Sequence, residues 1–487
     1  MALNSSHSAP DQRQKRGFFT NVAALVLARG FLALSQVLVL PIIARYLTVE
    51  EFAIMALAMT VVIFASVLSD GGLGRSLIRT SHYDPVEWSS VFWLLTGLGL
   101  GLCAGVLLMA PIWAWYFAEP MLLPIISTLS VLPLMQSISA TPNAEIERRE
   151  HYTALARLQI VAAGTGLLVA VLLALVGAGV WALVGQQVVL AAVRLVGVLY
   201  LSEFRPSLSF SRLLLSGHLG FARDTIVTSI ISVVQHQSAF VAIGKLLGSF
   251  QLGLFAMNQR FSRLPQFGLA GPFSSVVYVR MAKAKESPET IAAIYLAASR
   301  LLAAVLIPAM AMIAVSGRDL FGVLLSDKWS HVAPIFALSM PGIVAEAVTI
   351  TCLVCIFRAL GRTDLQVRLV IEGTVLKVVL VVISASVSLE AVACVFTLWA
   401  LIYIPRGWML ARQVVPISIR ACAEVLLRPI AVSVVAVATY VFVHPWHSLA
   451  PSSRIVEAMV LALLAYGLLV MLDRQRLRVA VDLFTLR

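Results

Sequence analysis

Residues 52–69 read FAIMALAMTVVIFASVLS, an apolar stretch without a charged side chain. About 20 apolar residues are enough for a helix to cross the hydrocarbon core of a bilayer, and about fourteen stretches of this kind follow one another between Phe18 and Leu472. Only short polar loops separate them. No water-soluble core of this length needs so many apolar segments, so the sequence predicts an all-α polytopic membrane protein.

The composition agrees with this prediction. Of the 487 residues 60% are hydrophobic and 12% are charged, and a soluble domain usually carries about twice that share of charge. The net charge of +12 would suggest nucleic acid as a partner of a soluble protein. Cytoplasmic loops of membrane proteins collect Lys and Arg in any case, and no nucleic-acid-binding motif is visible, so we expect no nucleic-acid partner.

The cysteines do not indicate a cofactor. Cys352 and Cys355 form a C-x-x-C inside the apolar run TITCLVCIF, with no second pair and no nearby His. Small apolar residues of a helix are the simpler interpretation than a redox or metal site. We therefore expect no metal and no cofactor.

The spans group into a definite domain organisation. We expect a cytoplasmic tail at 1–17, an N-lobe of six spans at 18–210, a C-lobe of six spans at 211–425, spans thirteen and fourteen within 426–472, and a cytoplasmic tail at 473–487. The predicted spans are roughly 18–44, 52–69, 88–117, 121–140, 158–178, 180–201, 219–243, 251–279, 291–316, 334–357, 369–388, 391–410, 430–443 and 457–472.

Loop charges predict the orientation. With the N-terminus in the cytoplasm, 25 of the 36 Lys and Arg residues fall in inner loops and tails, and five fall outside. An excess of cations on the cytoplasmic side is the rule for multi-pass proteins. The sequence therefore predicts that both termini lie inside and the loop 317–333 lies outside.

A weak repeat suggests two related halves. ARYLTVEEFAIMALAM at 44–59 matches GKLLGSFQLGLFAMNQ at 244–259, with Arg45 opposite Lys245. Six spans separate the two copies, so both have the same topology. That pattern predicts two lobes related by an axis along the membrane normal, as in transporters with parallel repeats.

The same residues carry a family resemblance. LPIIARYLTVEEFAIMALAMTVVIFASVLSDGGLGRSLIR at 40–79 resembles the signature of polysaccharide transporters, the Wzx-like oligosaccharide flippases of the multidrug/oligosaccharidyl-lipid/polysaccharide superfamily. Further matches are KLLGSFQLGLFAMNQRFSRLP (245–265), LLSDKWSHVAP (324–334) and RALGRTDLQ (358–366). The chain departs from the family at Ala53, where Gly is common.

This resemblance implies a function and partners. Two six-helix lobes would open a central cavity alternately to each side and flip a lipid-linked oligosaccharide outward for surface polysaccharide synthesis, whether O-antigen, exopolysaccharide or capsule. The partners would be the lipid-linked substrate, membrane lipid and other polysaccharide assembly proteins. In relatives that flip lipid II the last two helices form a groove for the lipid tail.

Cations inside the spans are the candidate substrate ligands. A charge at mid-bilayer costs roughly 2.5–3.5 kcal/mol even on the lenient insertion scale, so each needs a partner, water or a route to the surface. Arg29 lies deep in the first span, and Arg260 and Arg263 are three residues apart, which places them on one helix face. We predict that these three line the cavity and bind the substrate diphosphate, because Arg can bind phosphate oxygens in pairs.

Other polar groups in the spans have alternative roles. Gln36, His236, Arg300 and Lys377 are further cavity candidates, although Arg300 lies near a predicted cytoplasmic end and can reach the surface by snorkelling. Three acids are candidates for ion coupling, and one of them, Glu372, can instead pair with Arg368 four residues earlier. These acids are Asp224, Glu346 and Glu372.

Two other functions remain open at this point. A cation- or proton-coupled multidrug exporter of the same superfamily would share the architecture, but it would need acids in its cavity. The predicted spans instead contain six cations and only two acids well inside them. A membrane polysaccharide polymerase or ligase would need clustered acid, base or nucleophile groups. The outer loops contain no such motif, so we predict no enzyme and no catalytic residues.

Overall fold

A computed structural model describes residues 39–78, 82–443 and 450–485. Every regular element in these ranges is helical. Residues 39–46 form the described part of α1. The others are α2 Val49–Asp70, α3 Leu73–Ile78, α4 Pro85–Phe117, α5 Leu122–Leu129, α6 Val131–Arg148, α7 Tyr152–Leu175, α8 Trp181–Leu201, α9 Arg212–Leu246, α10 Ser249–Ser262, α11 Gly271–Lys283, α12 Pro288–Val315, α13 Gly317–Leu324, α14 Val332–Ala359, α15 Thr363–Ala385, α16 Leu389–Ala411, α17 Ile419–Val443, α18 Pro451–Leu472 and α19 Arg474–Thr485.

Within the described ranges, eleven helices are long and apolar enough to cross a membrane, which confirms an all-α polytopic membrane protein. Three predicted spans are not among them. Span one, 18–44, lies largely outside the described residues. Span eight is divided between α10 and α11, and α15 carries three charges in its apolar part. The eleven are α2, α4, α5 with α6, α7, α8, the Thr225–Leu246 part of α9, α12, α14, α16, α17 and α18.

Local sequence fixes several helix starts. Asp84 precedes α4 and its side chain accepts a hydrogen bond from the Val86 amide at 2.9 Å. Ser388 does the same for α16, accepting from the Ala391 amide at 3.1 Å. These caps satisfy amides that have no partner inside the helix. Apolar runs that follow a capping residue therefore start as helices at defined positions.

The chain divides into two compact units. The first contains residues 1–46 and 57–230, and its core joins α3, α4 and α6 around the buried Trp88, Leu95 and Leu77. The buried Glu145 of α6 accepts a hydrogen bond from the Ser202 hydroxyl at 3.0 Å and forms an ion pair with Arg149. This pairing gives a buried carboxylate the partners that it needs.

The second unit contains residues 47–56 and 231–487. Its central helix is α14, which contacts α10, α11, α12, α15 and α16. Helices α17 and α18 pack on α12 through a separate apolar cluster that includes Met312, Ala436 and Leu469. The predicted relation between a lobe at 18–210 and a lobe at 211–425 stays a prediction.

Residues 47–56, here called the crossing segment, join the second unit although the chain on either side belongs to the first. Thr48 and Glu51 form a reciprocal capping box at the start of α2, with hydrogen bonds of 2.7 and 3.2 Å. The Lys328 ammonium donates to the Leu47 carbonyl at 2.7 Å. Burial lowers the pKa of Lys328, and the nearby Glu51 carboxylate opposes that effect.

Two apolar contacts hold the same segment. Phe52 is 1% exposed and meets the buried Trp329 edge to face, with ring centroids 5.2 Å apart. On α10, a Cβ atom added to Gly253 would lie 2.0 Å from the Val49 carbonyl oxygen. Only glycine permits α10 to approach the crossing segment this closely.

Candidate anion-binding site

The helix that carries Arg260 and Arg263 is irregular beside them. Helix α10 ends at Ser262, Arg263 caps it, and residues Gln266–Ala270 form a π-helical turn before α11 starts. Pro265 lacks an amide hydrogen and disturbs the regular bond pattern. Single π-turns are rare and often lie at functional sites. The two arginines therefore lie at a break inside predicted span eight, which the sequence prediction treated as one straight helix.

Arg260 is held by an aromatic ring rather than by an acid. Its guanidinium carbon lies 4.9 Å from the centroid of Phe52 in the crossing segment. Within the described residues it forms no ion pair at 4.0 Å or less. Its side chain is not covered by protein. The cation thus has a weak partner and keeps its hydrogen-bond donors for another group.

A buried polar network fixes the turn from which these arginines project. The Asn258 side chain is fully buried, donates to the Ser339 hydroxyl of α14 at 3.2 Å and accepts from the Ser262 hydroxyl at 3.1 Å. Hydrogen bonds of this kind in a low-dielectric interior resist displacement. They anchor the end of α10 to the central helix of the unit.

Arg263 belongs to a group of titratable side chains from three further helices. His236 of α9 lies within electrostatic range of Arg263 and of Lys377 on α15, and Lys377 in turn interacts with Glu346 of α14. The His236 Nδ1 donates to the Ser232 carbonyl at 2.7 Å, since a carbonyl can only accept. The structure thus brings together four residues that the sequence analysis selected separately.

Lys377 is caged by aromatic rings that the sequence analysis missed. Its side chain is 8% exposed, and its ammonium lies 4.7 Å from the Phe396 centroid and 4.4 Å from the Trp399 centroid. Trp399 stacks on Tyr403 at 4.3 Å and donates to the Gly373 carbonyl at 2.9 Å. The only signal in the sequence was the i, i+3, i+7 spacing of the three aromatics on α16.

The cage depends on a close approach of α15 and α16. A Cβ atom on Gly373 would lie 2.2 Å from Cε2 of Tyr403. Glycine at this position lets the Trp399 indole reach the backbone of α15. Glu346 is the acid that interacts electrostatically with Lys377. Within the described part of the chain, however, the two side chains form no direct ion pair at 4.0 Å or less.

The remaining predicted residues lie elsewhere or outside the described part. Glu372 accepts from Arg368 at 2.9 Å and from both ends of the Arg406 guanidinium at 2.7 and 2.9 Å. Arg300 pairs with Asp473 at 3.8 Å. Asp224 lies in α9 but its side chain is outside the described part, as are Arg29 and Gln36 entirely.

Neither arginine nor any other group of the site is arranged as a metal centre. Among the described residues, no set of three or more His, Cys, Asp or Glu side chains could hold a metal ion. Among the described residues, this site brings the cations Arg263 and Lys377 near the acid Glu346, and Arg260 lies three residues before Arg263 in the chain. Chemically, this arrangement favours an anion with several oxygen atoms.

Comparisons with known proteins identify a family, similar sequences and a solved structure with the same fold. A family model described as polysaccharide biosynthesis protein matches residues 42–334. The succinoglycan biosynthesis transport protein ExoT of Rhizobium meliloti is 27% identical over 319 residues, which are 65% of this chain and 64% of ExoT. The lipopolysaccharide biosynthesis protein WzxC of Escherichia coli is 23% identical over 307 residues, which are 61% of each chain. The chain therefore matches less than two thirds of the length of either relative.

A solved structure matches over nearly the full length. The lipid II flippase MurJ in its inward closed conformation has a TM-score of 0.74, covering 94% of this chain and 98% of MurJ at 10% identity. At this identity the match establishes a shared fold.

Proposed function

This chain belongs to the polysaccharide biosynthesis protein family, and we propose that it flips a polyprenyl-diphosphate-linked oligosaccharide across the bacterial inner membrane by alternating access. The product would serve surface polysaccharide synthesis. The family match confirms the resemblance drawn from residues 40–79. The names of ExoT, a transport protein, and of MurJ, a flippase, support this function.

The observation that carries the proposal is the pair of arginines beside the π-turn. Arg260 and Arg263 lie in an apolar stretch, and within the described residues neither has a carboxylate at 4.0 Å or less. A cation inside a membrane needs compensation by water, by a partner or by a bound anion. A diphosphate supplies that compensation, because each guanidinium can donate two parallel hydrogen bonds to it. Arg29, which lies outside the described residues, remains a sequence-based candidate for binding the same substrate.

Charge distinguishes this proposal from multidrug export. An exporter of organic cations needs exposed carboxylates, but Glu372 is neutralised by two arginines and Glu346 interacts with Lys377. The remaining charge of the site is positive. This excess supports an anionic substrate.

The proposal includes an orientation and partners. Both termini would face the cytoplasm, in accordance with the predominance of Lys and Arg in the predicted inner loops. The substrate would enter from the cytoplasmic leaflet, where lipid-linked glycans are assembled by glycosyltransferases. Other polysaccharide assembly proteins would receive the product outside.

The test is glycan export in a strain that lacks the native gene. Arg260→Ala and Arg263→Ala each remove a charge-assisted hydrogen-bonding group worth about 1.5–3 kcal/mol, so apparent substrate affinity should fall roughly tenfold or more. Lysine at the same positions keeps the charge but loses the planar fork, so Arg260→Lys should export at an intermediate rate. Arg412→Ala, which removes an exposed arginine outside the site, is the matched control.

Membrane levels of each variant must be equal for this comparison. If both alanine variants insert normally and export glycan like the wild type at limiting substrate, the cationic-site proposal is refuted. Glycosyltransferase genes next to this gene would favour glycan flipping over drug export.

A further inference from the structure

A second group of arginines lies where α12, α17, α18 and α19 come together, and it shares no residue with the substrate site. Asp473 directly follows α18, and its side chain is only 12% exposed. It forms ion pairs with Arg300 at 3.8 Å, with Arg476 at 3.8 Å and with Arg428. Three arginines therefore surround one carboxylate.

The group extends along α17 and α19 through a second acid. Glu424 pairs with Arg420 at 3.6 Å and with Arg476 at 3.8 Å. Arg474, the first residue of α19, follows Asp473 in the chain and is exposed. Five arginines and two carboxylates leave a surplus of three positive charges. We call this set the arginine cluster: Arg300, Arg420, Glu424, Arg428, Asp473, Arg474 and Arg476.

Helix α19, which carries part of the cluster, is docked rather than a loose tail. The Arg280 guanidinium donates to the Leu483 carbonyl and, at 2.6 Å, to the Phe484 carbonyl. The Phe484 ring packs on Phe273 with centroids 5.2 Å apart. Arginine at the end of a helix satisfies carbonyls that lack partners. The position of Arg474 and Arg476 is therefore set by the fold.

The cluster also lies at the polar ends of two apolar helices, α17 and α18. The apolar part of α17 starts just after Arg428, and α18 ends at Leu472, immediately before Asp473. Both helices leave large apolar side chains uncovered by protein, among them Val434 and Leu463, as lipid-facing helices do. The arginines are thus next to exposed apolar helix surface, where we expect the polar headgroups of the bilayer to begin.

From this juxtaposition we propose that the arginine cluster binds the phosphate headgroup of an anionic phospholipid of the bilayer. The guanidinium fork matches phosphate geometry, and basic groups between spans at the cytoplasmic surface are suited to such headgroups. Asp473 and Glu424 neutralise only part of the positive charge of these arginines. The lipid phosphate would accept hydrogen bonds from the same guanidinium groups. This binding is independent of the transport function.

The test measures phosphatidylglycerol binding to the full-length protein in detergent by native mass spectrometry, with phosphatidylcholine as the neutral lipid. Arg474→Gln leaves every ion pair of the cluster intact, so it should fold normally. Loss of one arginine near anionic lipid corresponds to about fivefold weaker binding. Asp473→Asn removes the competing carboxylate and should tighten phosphatidylglycerol binding. Arg362→Gln, which removes another exposed arginine, is the matched control.

The outcomes separate the possibilities. Weaker phosphatidylglycerol binding in Arg474→Gln, with an unchanged control and no effect on phosphatidylcholine, supports the proposal. Wild-type phosphatidylglycerol binding in Arg474→Gln overturns it. Preferential retention of undecaprenyl diphosphate over phosphatidylglycerol also overturns it, because the cluster would then belong to the substrate route.

Discussion

Replacing Gly253 by alanine adds one methyl group where α10 packs against the crossing segment. A Cβ atom there lies 2.0 Å from the Val49 carbonyl oxygen and 2.6 Å from Val49 Cγ1, whereas real Cβ contacts below 3.0 Å essentially never occur. Gly253→Ala therefore forces α10 and Val49 apart by about 1 Å. Overpacking lowers the free energy of unfolding by about 1–3 kcal/mol. The higher helix propensity of alanine offsets about 1 kcal/mol of this loss or less. We expect the variant to be about 1–2 kcal/mol less stable.

Thermal unfolding of the detergent-purified protein measures this loss. The matched control is Gly101→Ala in α4, where the added methyl group meets nothing within 4 Å. That variant should keep or slightly raise the unfolding temperature. Adding Val49→Ala to Gly253→Ala should restore little, because the shortest clash involves a backbone oxygen. Equal stability of the Gly253→Ala and Gly101→Ala proteins would refute this close packing, and full rescue by Val49→Ala would assign the clash to the side chain.

Three further predictions concern packing, ion pairs and topology. Tyr295→Phe removes the hydroxyl that accepts from Trp408 Nε1 at 2.8 Å in a buried site, so unfolding should become easier by about 1–3 kcal/mol in the same thermal assay; an unchanged unfolding temperature would contradict it. Glu372→Gln removes the partner of two arginines, so we expect lower stability at unchanged export per folded molecule, whereas an ion-coupling role requires slower export at full stability. An impermeant thiol reagent on intact cells should label a cysteine at His331 and spare one at Ser5, and equal labelling would defeat the predicted orientation.

The fold class was predictable because apolar length alone decides it. Span eight was predicted less well: Pro265 is visible in the sequence, but the π-turn after it depends on how α10 is anchored to α14 through Asn258 and Ser339. The three-residue spacing of Arg260 and Arg263 predicted a common face. In the structure Arg260 lies on Phe52, and Arg263 lies near His236.

The sequence selected the cations of the candidate site but not their neighbours. Lys377 was selected as a possible cavity cation within a span, but its aromatic cage comes from α16 and requires the close approach at Gly373. The pairing of Glu372 with Arg368 follows from helix geometry, since the two are four residues apart. Its second partner, Arg406, is 34 residues away, and only tertiary packing brings it there.

The π-turn at Gln266–Ala270 has a consequence for how this region can change in evolution. The Gly271 amide bonds to the Gln266 carbonyl, five residues earlier, so the turn holds one residue more than an α-helix would use. Each residue of an α-helix rotates the chain by about 100°. An extra residue in a regular helix would turn everything after it by this angle, whereas the wider π-turn absorbs most of that rotation locally. Deleting one residue here would therefore convert the π-turn into a regular α-helical turn, which a substitution would not do. Family members that have a regular α-helix here should align with a one-residue gap in 266–270 and keep nearly the same face of α11 toward its neighbours.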